Sequence, residues 1–558
     1  MPEAYTREVD RLGRRDAVIL LVVLGTGVFL AGLELMITAV ALPAIVSDLA
    51  GWTRLREASW IINGYLLVYV VTMPLAGRLA DLLGNRRLFL AALAVFTLGS
   101  LLAGAAPTLE LLIAARLVQA VGGGALVPVA TSAASHLFEG RTRPRALGVI
   151  GGLTFLGMAA GPVLGAAILD AVHPDAALSK LGIDPGSAVA GLLAPAWRWI
   201  FYVNVPIGLV ALVLAWAASS GWETPRRGGR VDVSGALLFS AFLAGALGAL
   251  TLLGSHATAD GSGLDPALPG LTLVVVAVVA GPVAVLRGLR VRDPFLDPRL
   301  FRSAAFSSAA LVSLLTGYGL ATAIVGAAVF VDRVLYGGPD EQRLALGALA
   351  GATAIGALAS GFVVRVLSLR IVTLVGLAAS VAGLVQMAGW TPATTIGSAS
   401  LSLALFGAGF GLTVTPRSTA AVEAVSRSAY GTASSTVTVA RMVGMAIGLA
   451  VLTAYGSTTI DRLYDQVYAT PDAYLAYIPG NLRDRPLKDG QVVEALEGWA
   501  AGEAARIMVG IFLVAGVVTA VAIPPALLLD RRRRMLGPAG PDVAGETLEP
   551  DGRTDEAG

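Results

Sequence analysis

The chain has 558 residues, of which 56% are hydrophobic and only 14% are charged, with a formal net charge of +2. A soluble protein of this length would divide into several domains with far more surface charge, so the composition excludes an ordinary soluble fold. The chain has no cysteine, which excludes a disulfide framework, a thiolate metal site and a cysteine nucleophile. The three histidines lie in predicted loops and form no evident metal or catalytic cluster: His136, His173 and His256.

Apolar runs of about 20 residues recur along the chain, and each is long enough to cross about 30 Å of hydrocarbon as a helix. They predict an all-α membrane protein with about fourteen transmembrane spans. The first run is basic and then apolar, but it continues past Ala41, so we expect a retained span rather than a cleaved signal peptide. The expected spans are, in chain order, 16–45, 58–78, 86–106, 109–132, 145–170, 198–219, 233–255, 269–289, 303–334, 343–366, 370–390, 397–416, 428–455 and 503–529.

Arginines divide unevenly between the predicted loops. With the N-terminus in the cytoplasm, the inside loops collect most of them, including Arg417 and Arg427 between the twelfth and thirteenth spans. The opposite orientation would reverse this asymmetry, contrary to the positive-inside rule. We therefore predict a multi-pass protein of the cell (inner) membrane with both termini cytoplasmic.

Two outside loops and the C-terminal tail differ from the spans in composition. The loop at 171–196 contains His173-Pro174, and the region 457–502 contains several tyrosines and many charges. The tail 531–558 is rich in glycine, proline and acidic residues after its arginine run, so we expect it to be disordered and cytoplasmic.

The most specific motif follows the second span, at residues 77–87, where two spans must reverse direction in a very short inside loop. Gly77 permits close helix approach and Gly84 a tight turn. Asp81 can hold a facing helix through that helix's N-terminal dipole or through an arginine. The alternative is a generic basic inside loop. We predict that this motif is a conformational switch formed by Gly77, Asp81, Gly84, Arg86 and Arg87.

This loop resembles the signature loop of the major facilitator superfamily, and other segments agree. Residues 116–122 resemble the superfamily's Arg-x-x-Gln-Gly motif, with Ala120 where glycine is usual. Residues 157–165 resemble its antiporter motif, with Ala166 at the final glycine position.

Two more segments are similar to the fourteen-span drug/proton antiporters within that superfamily. Glu34 followed by Ala41-Leu42-Pro43 resembles their acid-then-Ala-Leu-Pro pattern, which usually has aspartate. The segment 197–208 is also typical of that family, and 431–445 is similar to the branch of mycobacterial triacylglyceride exporters.

The resemblance implies the major facilitator fold, in which two six-helix bundles rock about a central cavity. The N-terminal bundle would be 1–220 and the C-terminal bundle 301–530, with two inserted transmembrane helices in 221–300. Alternating access would then expose the cavity to each side of the membrane in turn.

Three ionisable residues lie inside predicted spans, where each is costly. Glu34 is the candidate proton carrier, because a nearby arginine stabilises the charged form of a carboxyl and its departure favours protonation. Arg116 and Arg441 are the candidate partners in proton coupling. The alternatives are a static ion pair for Glu34 and helix anchoring through backbone carbonyls for Arg116. Arg441 has two further alternatives, which are pairing with Glu34 across the cavity and binding an anionic headgroup.

The antiporter motif has a physical interpretation of its own. Gly157, Gly161 and Gly165 recur every four residues on one helix face, which lets another helix pack closely. Pro162 removes a backbone donor and kinks the span. We expect a bend and a seal between the bundles here, with ordinary small-residue packing as the alternative.

The leading functional hypothesis is proton-coupled efflux of hydrophobic or amphipathic compounds, with no cofactor beyond the proton gradient. The alternative within transport is export of lipids such as triacylglycerides, with 457–502 guiding the lipid or meeting a periplasmic lipid-binding partner. We expect a monomer that contacts membrane lipids and has no nucleic-acid partner. A membrane enzyme or a receptor is disfavoured, since no polar catalytic cluster or sensory domain is visible. No phosphate-binding Gly-x-x-x-x-Gly-Lys-Ser/Thr loop is present either.

Overall fold

The computed structural model describes residues 14–50, 54–58, 60–140, 142–174, 182, 184, 187–218, 222, 232–254, 267–291, 294–468, 473–484 and 489–530. The basic segment before Arg14, parts of both long outside loops, His256 and the predicted tail 531–558 lie outside these residues. All regular secondary structure within the described ranges is helical.

Fourteen long helices account for most of the described chain. In order they are α1 (Arg14–Ile45), α2 (Trp60–Leu83), α3 (Asn85–Ala105), α4 (Leu109–Leu137), α5 (Arg143–Ala171), α6 (Asn204–Ala217), α7 (Val233–Gly254), α8 (Ala267–Arg290), α9 (Ala304–Arg333), α10 (Pro339–Val363), α11 (Leu369–Met387), α12 (Ile396–Glu423), α13 (Tyr430–Tyr468) and α14 (Gly490–Ala520). Short helical turns lie between some of them, including Trp199–Tyr202 directly before α6.

Thirteen candidate spans in the described residues are long and apolar enough to cross a membrane, and α7 has a shorter apolar stretch, Val233–Ala249. The all-α fold class is therefore confirmed, and fourteen is an approximate span count. Local chemistry explains several helix starts: the hydroxyl oxygens of Thr108, Ser303 and Thr395 each accept from a backbone N–H three residues later. Between α2 and α3, Gly84 has φ 90°, a conformation that favours glycine.

Helices α1–α6 share one hydrophobic core, and most of the remaining buried apolar residues join α9–α14. The inserted helices α7 and α8 pack against each other, and α7 also contacts α2 and α13. Large side chains of α8 are exposed, among them Val278 at 65%, as expected for a lipid-facing helix. The two bundles meet chiefly through α5 with α10 and through α2 and α4 with α13.

Two predicted loop positions are wrong. His136 belongs to α4 rather than to a loop, and its side chain is buried. Arg417 belongs to α12, which continues to Glu423, and only 2% of this arginine is exposed. It therefore does not belong with the loop arginines that support the predicted orientation.

Parts of the predicted outside region 457–502 are helical, because α13 continues to Tyr468 and α14 begins at Gly490. Between them, the described residues form two short turns of 3-10 helix, Ala473–Tyr477 and Gly480–Leu482. Ile478 and Leu482 pack with Val492 of α14 in a small apolar cluster. The region thus has a core of its own against the start of the last helix.

Candidate functional site

Among the described carboxylates of the N-terminal bundle, Glu34 in α1 is the most buried, with none of its surface exposed. Its Oε1 accepts hydrogen bonds from Arg116 Nη1 of α4 and from Thr38 Oγ1 one turn later, at 3.0 Å. Its Oε2 accepts from Asn204 Nδ2 at the start of α6, at 2.7 Å. Every carboxylate oxygen therefore has a donor, as a buried charge requires.

Arg116 is fixed on several sides. Its Nη1 also donates to Gln119 Oε1 at 2.7 Å, and its Nε donates to the backbone oxygen of Ile61 at 3.3 Å. The Tyr65 ring centroid lies 4.0 Å from its guanidinium carbon, within the range of a cation–π contact. Arg116 thus forms the expected pair with Glu34 and also the expected bond to a backbone carbonyl.

A hydroxyl links the remaining polar groups of this site. Ser100 Oγ of α3 accepts from Gln119 Nε2 and from Asn204 Nδ2, both at 3.1 Å, and donates to the backbone oxygen of Phe201 at 3.0 Å. The close approach depends on Gly99, since a Cβ there would lie 2.5 Å from the Cα of Gln119. The network joins α1, α2, α3, α4 and α6.

Sequence reasoning did not assign a role to Asn204, Ser100 or Tyr65. Asn204 stands in the segment 197–208 that carries the family resemblance, and that was the available signal. Ser100 and Tyr65 are single polar residues in apolar spans, a pattern too common to single them out.

Arg441 is not brought to Glu34. It lies in α13 with its guanidinium carbon 5.4 Å from the Phe155 ring centroid, and it lines a cavity between the bundles. Glu34 instead pairs with Arg116 inside the first bundle. The structure therefore does not show the alternative in which Arg441 pairs with Glu34 across the cavity.

Asp81 holds the first turn of a helix in the opposite bundle. Its Oδ1 accepts from the backbone N–H of Gly431 at 2.7 Å, and its Oδ2 accepts from the N–H of Thr432 at 2.9 Å. The Thr432 hydroxyl donates to the same oxygen at 2.6 Å. This is the contact with a helix N-terminus that the motif predicted.

Two glycines allow α2 and α13 to meet at this point. A Cβ on Gly77 would lie 2.4 Å from the carbonyl oxygen of Gly431, and a Cβ on Gly431 would lie 2.2 Å from that of Gly77. Arg86 is partly exposed and Arg87 is exposed beside the turn. We call this end of the molecule the inner end, after the predicted orientation.

Further contacts join the bundles at the inner end. His136 Nε2 lies 2.8 Å from the backbone oxygen of Arg427, whose side chain pairs with Glu139. The Ser434 hydroxyl donates to the backbone oxygen of Pro128 at 2.9 Å. The inner end is therefore closed by α2, α4 and α13.

The antiporter glycines pack closely against another helix, but that helix is α1 of the same bundle. A Cβ on Gly157 would lie 2.2 Å from the carbonyl oxygen of Phe29, and Gly161 and Gly165 face Ile37. Pro162 lies within α5.

The close approach of α5 to α10 of the other bundle occurs nearer the inner end than expected. There a Cβ on Gly148 would lie 3.1 Å from the Cα of Gly361. The contact between bundles is thus offset from the motif that was expected to form it.

The sequence matches the Major Facilitator Superfamily over residues 24–449. The chain belongs to this superfamily. This transporter is accordingly a multi-pass membrane protein, and its family consists of transporters rather than enzymes.

Relatives of this transporter are named for lipid transport or for drug resistance. It is 32% identical to a triacylglyceride transporter of Mycolicibacterium hassiacum, over 83% of this chain and 84% of that one. It is 30% identical to a multidrug resistance protein B homolog of Mycobacterium tuberculosis, over 76% and 73%. A solved proton:xylose symporter shares the fold with a TM-score of 0.55 and 12% identity, over 90% of this chain and 94% of that chain.

Proposed function

We propose that this transporter exports hydrophobic or amphipathic compounds in exchange for protons, with Glu34 as the proton carrier. The observation that carries the proposal is the fully buried Glu34–Arg116 pair, a costly arrangement inside a membrane bundle. The other two acids that are buried in the described part of the chain have structural partners. Asp81 caps α13, and Asp232, directly before α7, accepts from Arg287 of α8.

The pair is connected to the contacts between bundles through two helices. Arg116 lies on α4, which carries His136 at the inner end, and its partners Ile61 and Tyr65 lie on α2, which carries Asp81. Protonation of Glu34 removes the attraction that holds α4 to α1. Arg116 would then shift relative to α1, and α2 and α4, which contact α13 and the segment before it at the inner end, would move with it.

The proposed orientation places both termini in the cytoplasm of a cell with an inner membrane, so that protons enter as substrate leaves. Two features support a hydrophobic substrate: several relatives are named triacylglyceride transporters, and others are named multidrug resistance protein homologs. Lipid export is the second candidate function. The packed turns at 473–482, at the opposite end from Asp81, support it because they form an ordered surface where lipid would leave.

The test measures substrate flux and proton flux in the same proteoliposomes under a pH gradient. Glu34→Gln keeps volume and hydrogen bonding but cannot titrate, so we expect substrate binding to survive and uphill export to be lost. Glu110→Gln, which removes an exposed carboxylate of the same bundle, is the matched control and should retain coupling. An amphipathic dye and a labelled neutral lipid, compared side by side, separate the two candidate functions. Coupling at the wild-type flux ratio in Glu34→Gln would refute the proton-carrier role.

A further inference from the structure

Two arginines of the C-terminal bundle face the space between the bundles. Arg417 of α12 and Arg441 of α13 both line a cavity of about 40 Å³, whose other walls come from α4 and α5. Only 2% of Arg417 and 9% of Arg441 are exposed. Such burial of two like charges in one cavity is costly unless something compensates it.

The protein supplies little compensation within the described residues. Arg417 Nη1 donates to the Thr316 hydroxyl at 2.8 Å, and its guanidinium carbon lies 5.0 Å from the Phe410 ring centroid. Arg441 faces the Phe155 ring, and its buried Nε has no acceptor in the described structure. Neither arginine forms an ion pair with a described carboxylate, in contrast to Arg116.

The remaining polar groups of the cavity are already used. Four hydroxyls each donate to a backbone oxygen one turn earlier in their own helix, at 2.8 to 2.9 Å: those of Thr131, Thr154, Ser418 and Thr438. The free hydrogen-bond donors of the cavity therefore belong to the guanidinium groups. They point to a ligand that accepts hydrogen bonds and carries negative charge.

Close packing of α13 against α9 fixes the backbone position of Arg441. A Cβ on Gly317 of α9 would lie 2.2 Å from the carbonyl oxygen of Arg441.

The volume of the cavity suits one small headgroup, since about 40 Å³ holds about three water molecules. Apolar residues such as Val127, Ile150 and Val414 complete its walls.

We infer that Arg417 and Arg441 form a binding site for the anionic headgroup of an amphipathic substrate, a carboxylate or a phosphate. Guanidinium groups bind both headgroups through paired hydrogen bonds, and the surrounding apolar wall suits the adjoining chain. The inference rests on the proposed export function, because it names the class of amphipathic compound that the cavity selects.

The test is equilibrium binding to the full-length purified protein in a neutral detergent, without a pH gradient. Three labelled probes share one oleoyl chain: oleate, oleoyl lysophosphatidate and neutral monooleoylglycerol. We expect the wild type to bind at least one anion about tenfold tighter than the neutral probe. The anion that binds more tightly distinguishes a carboxylate from a phosphate ligand.

Arg441→Gln should abolish this preference, lowering anion affinity about tenfold while leaving monooleoylglycerol binding unchanged. Arg441→Lys keeps the charge without the fork and should give an intermediate loss. Arg417→Gln should also abolish the preference for anions. If Arg417→Gln does not fold, the two Arg441 variants test the site without it. Arg302→Gln removes an exposed arginine of the same bundle and should keep the wild-type preference.

Three results would overturn the site: no preference in the wild type, an unchanged preference in Arg441→Gln, or equal losses for all three probes. The third would mark the arginines as structural. Since no proton gradient is used, these results leave the Glu34 experiment unaffected. Loss of the Glu34 role would likewise leave the binding preference to be decided on its own.

Discussion

Arg116 in the N-terminal bundle and the Arg417–Arg441 pair in the C-terminal bundle differ in how their buried charge is compensated. In the N-terminal bundle, Arg116 meets the carboxylate of Glu34, and hydrogen bonds from Thr38 and Asn204 complete the acid. In the C-terminal bundle, Arg417 and Arg441 share a cavity without a described carboxylate partner. One site therefore pairs its cation with an acid and, in the proposed mechanism, changes its charge by taking up a proton. The other has no described acid and, by our inference, is completed by an anionic ligand.

The largest effect should come from breaking the Glu34–Arg116 pair. Arg116→Ala leaves the Glu34 carboxylate buried without its cation, which typically costs about 3–5 kcal/mol. We expect a large fall in the thermal unfolding temperature of the purified protein. Adding Glu34→Gln to Arg116→Ala should recover much of that loss, because the uncompensated charge is then gone. If Arg116→Ala alone were as stable as the wild type, Glu34 and Arg116 would not be electrostatically coupled.

Removing a charge from the cationic site should leave the free energy of unfolding nearly unchanged or should increase it. Arg441→Gln removes a buried charge that has no described carboxylate partner, so its desolvation cost disappears. We expect the free energy of unfolding to stay within about 1 kcal/mol of the wild type or to rise. The measurement is the same unfolding experiment, run beside Arg116→Ala. A fall as large as that of Arg116→Ala would mean that Arg441 already has a compensating partner.

A smaller effect is expected where the bundles touch. Asp81→Asn keeps the shape of the cap but removes its charge, so the contact with Gly431 and Thr432 should weaken by about 1–2 kcal/mol. Spin labels on cysteines introduced at Leu83 and Ser426, which are both exposed, report the separation of the bundles at the inner end. We expect a larger population of long distances. Unchanged distances together with unchanged transport would show that Asp81 has no role in the conformational switch.

The smallest perturbation tests the orientation on which the direction of proton flow depends. The chain has no cysteine, so Arg87→Cys introduces a single exposed thiol beside the α2–α3 turn. We expect an impermeant thiol reagent to label it only after the cells are permeabilised. Rapid labelling of intact cells would reverse the predicted topology.

The spans could be predicted from the sequence because length and hydropathy are local properties. The predicted span 86–106 differs from α3, Asn85–Ala105, by one residue at each end. The end of α12 could not be predicted from local properties. Pro416 and Arg417 have the composition of a span boundary, and only tertiary packing buries this arginine inside the helix.

The candidate site was predicted in part. Glu34 and Arg116 were identified because charge is rare inside spans, and Asp81 was identified from its motif. Their partners lie far away in the chain, and Asn204 is 170 residues from Glu34. Which arginine reaches Glu34, and which helix the glycines of α5 face, depends on how six helices pack, which no local pattern specifies.

The cap on α13 has a consequence for the helix itself. The backbone N–H groups of Gly431 and Thr432 belong to its first turn, where no carbonyl of the same helix can accept from them. Their acceptor, Asp81, belongs to the other bundle. When the bundles separate at this end, α13 loses the carboxylate that caps its N-terminus, and its first turn should fray. The length of this helix would thus report the transport state, and amide hydrogen exchange at Gly431 and Thr432 would record each opening.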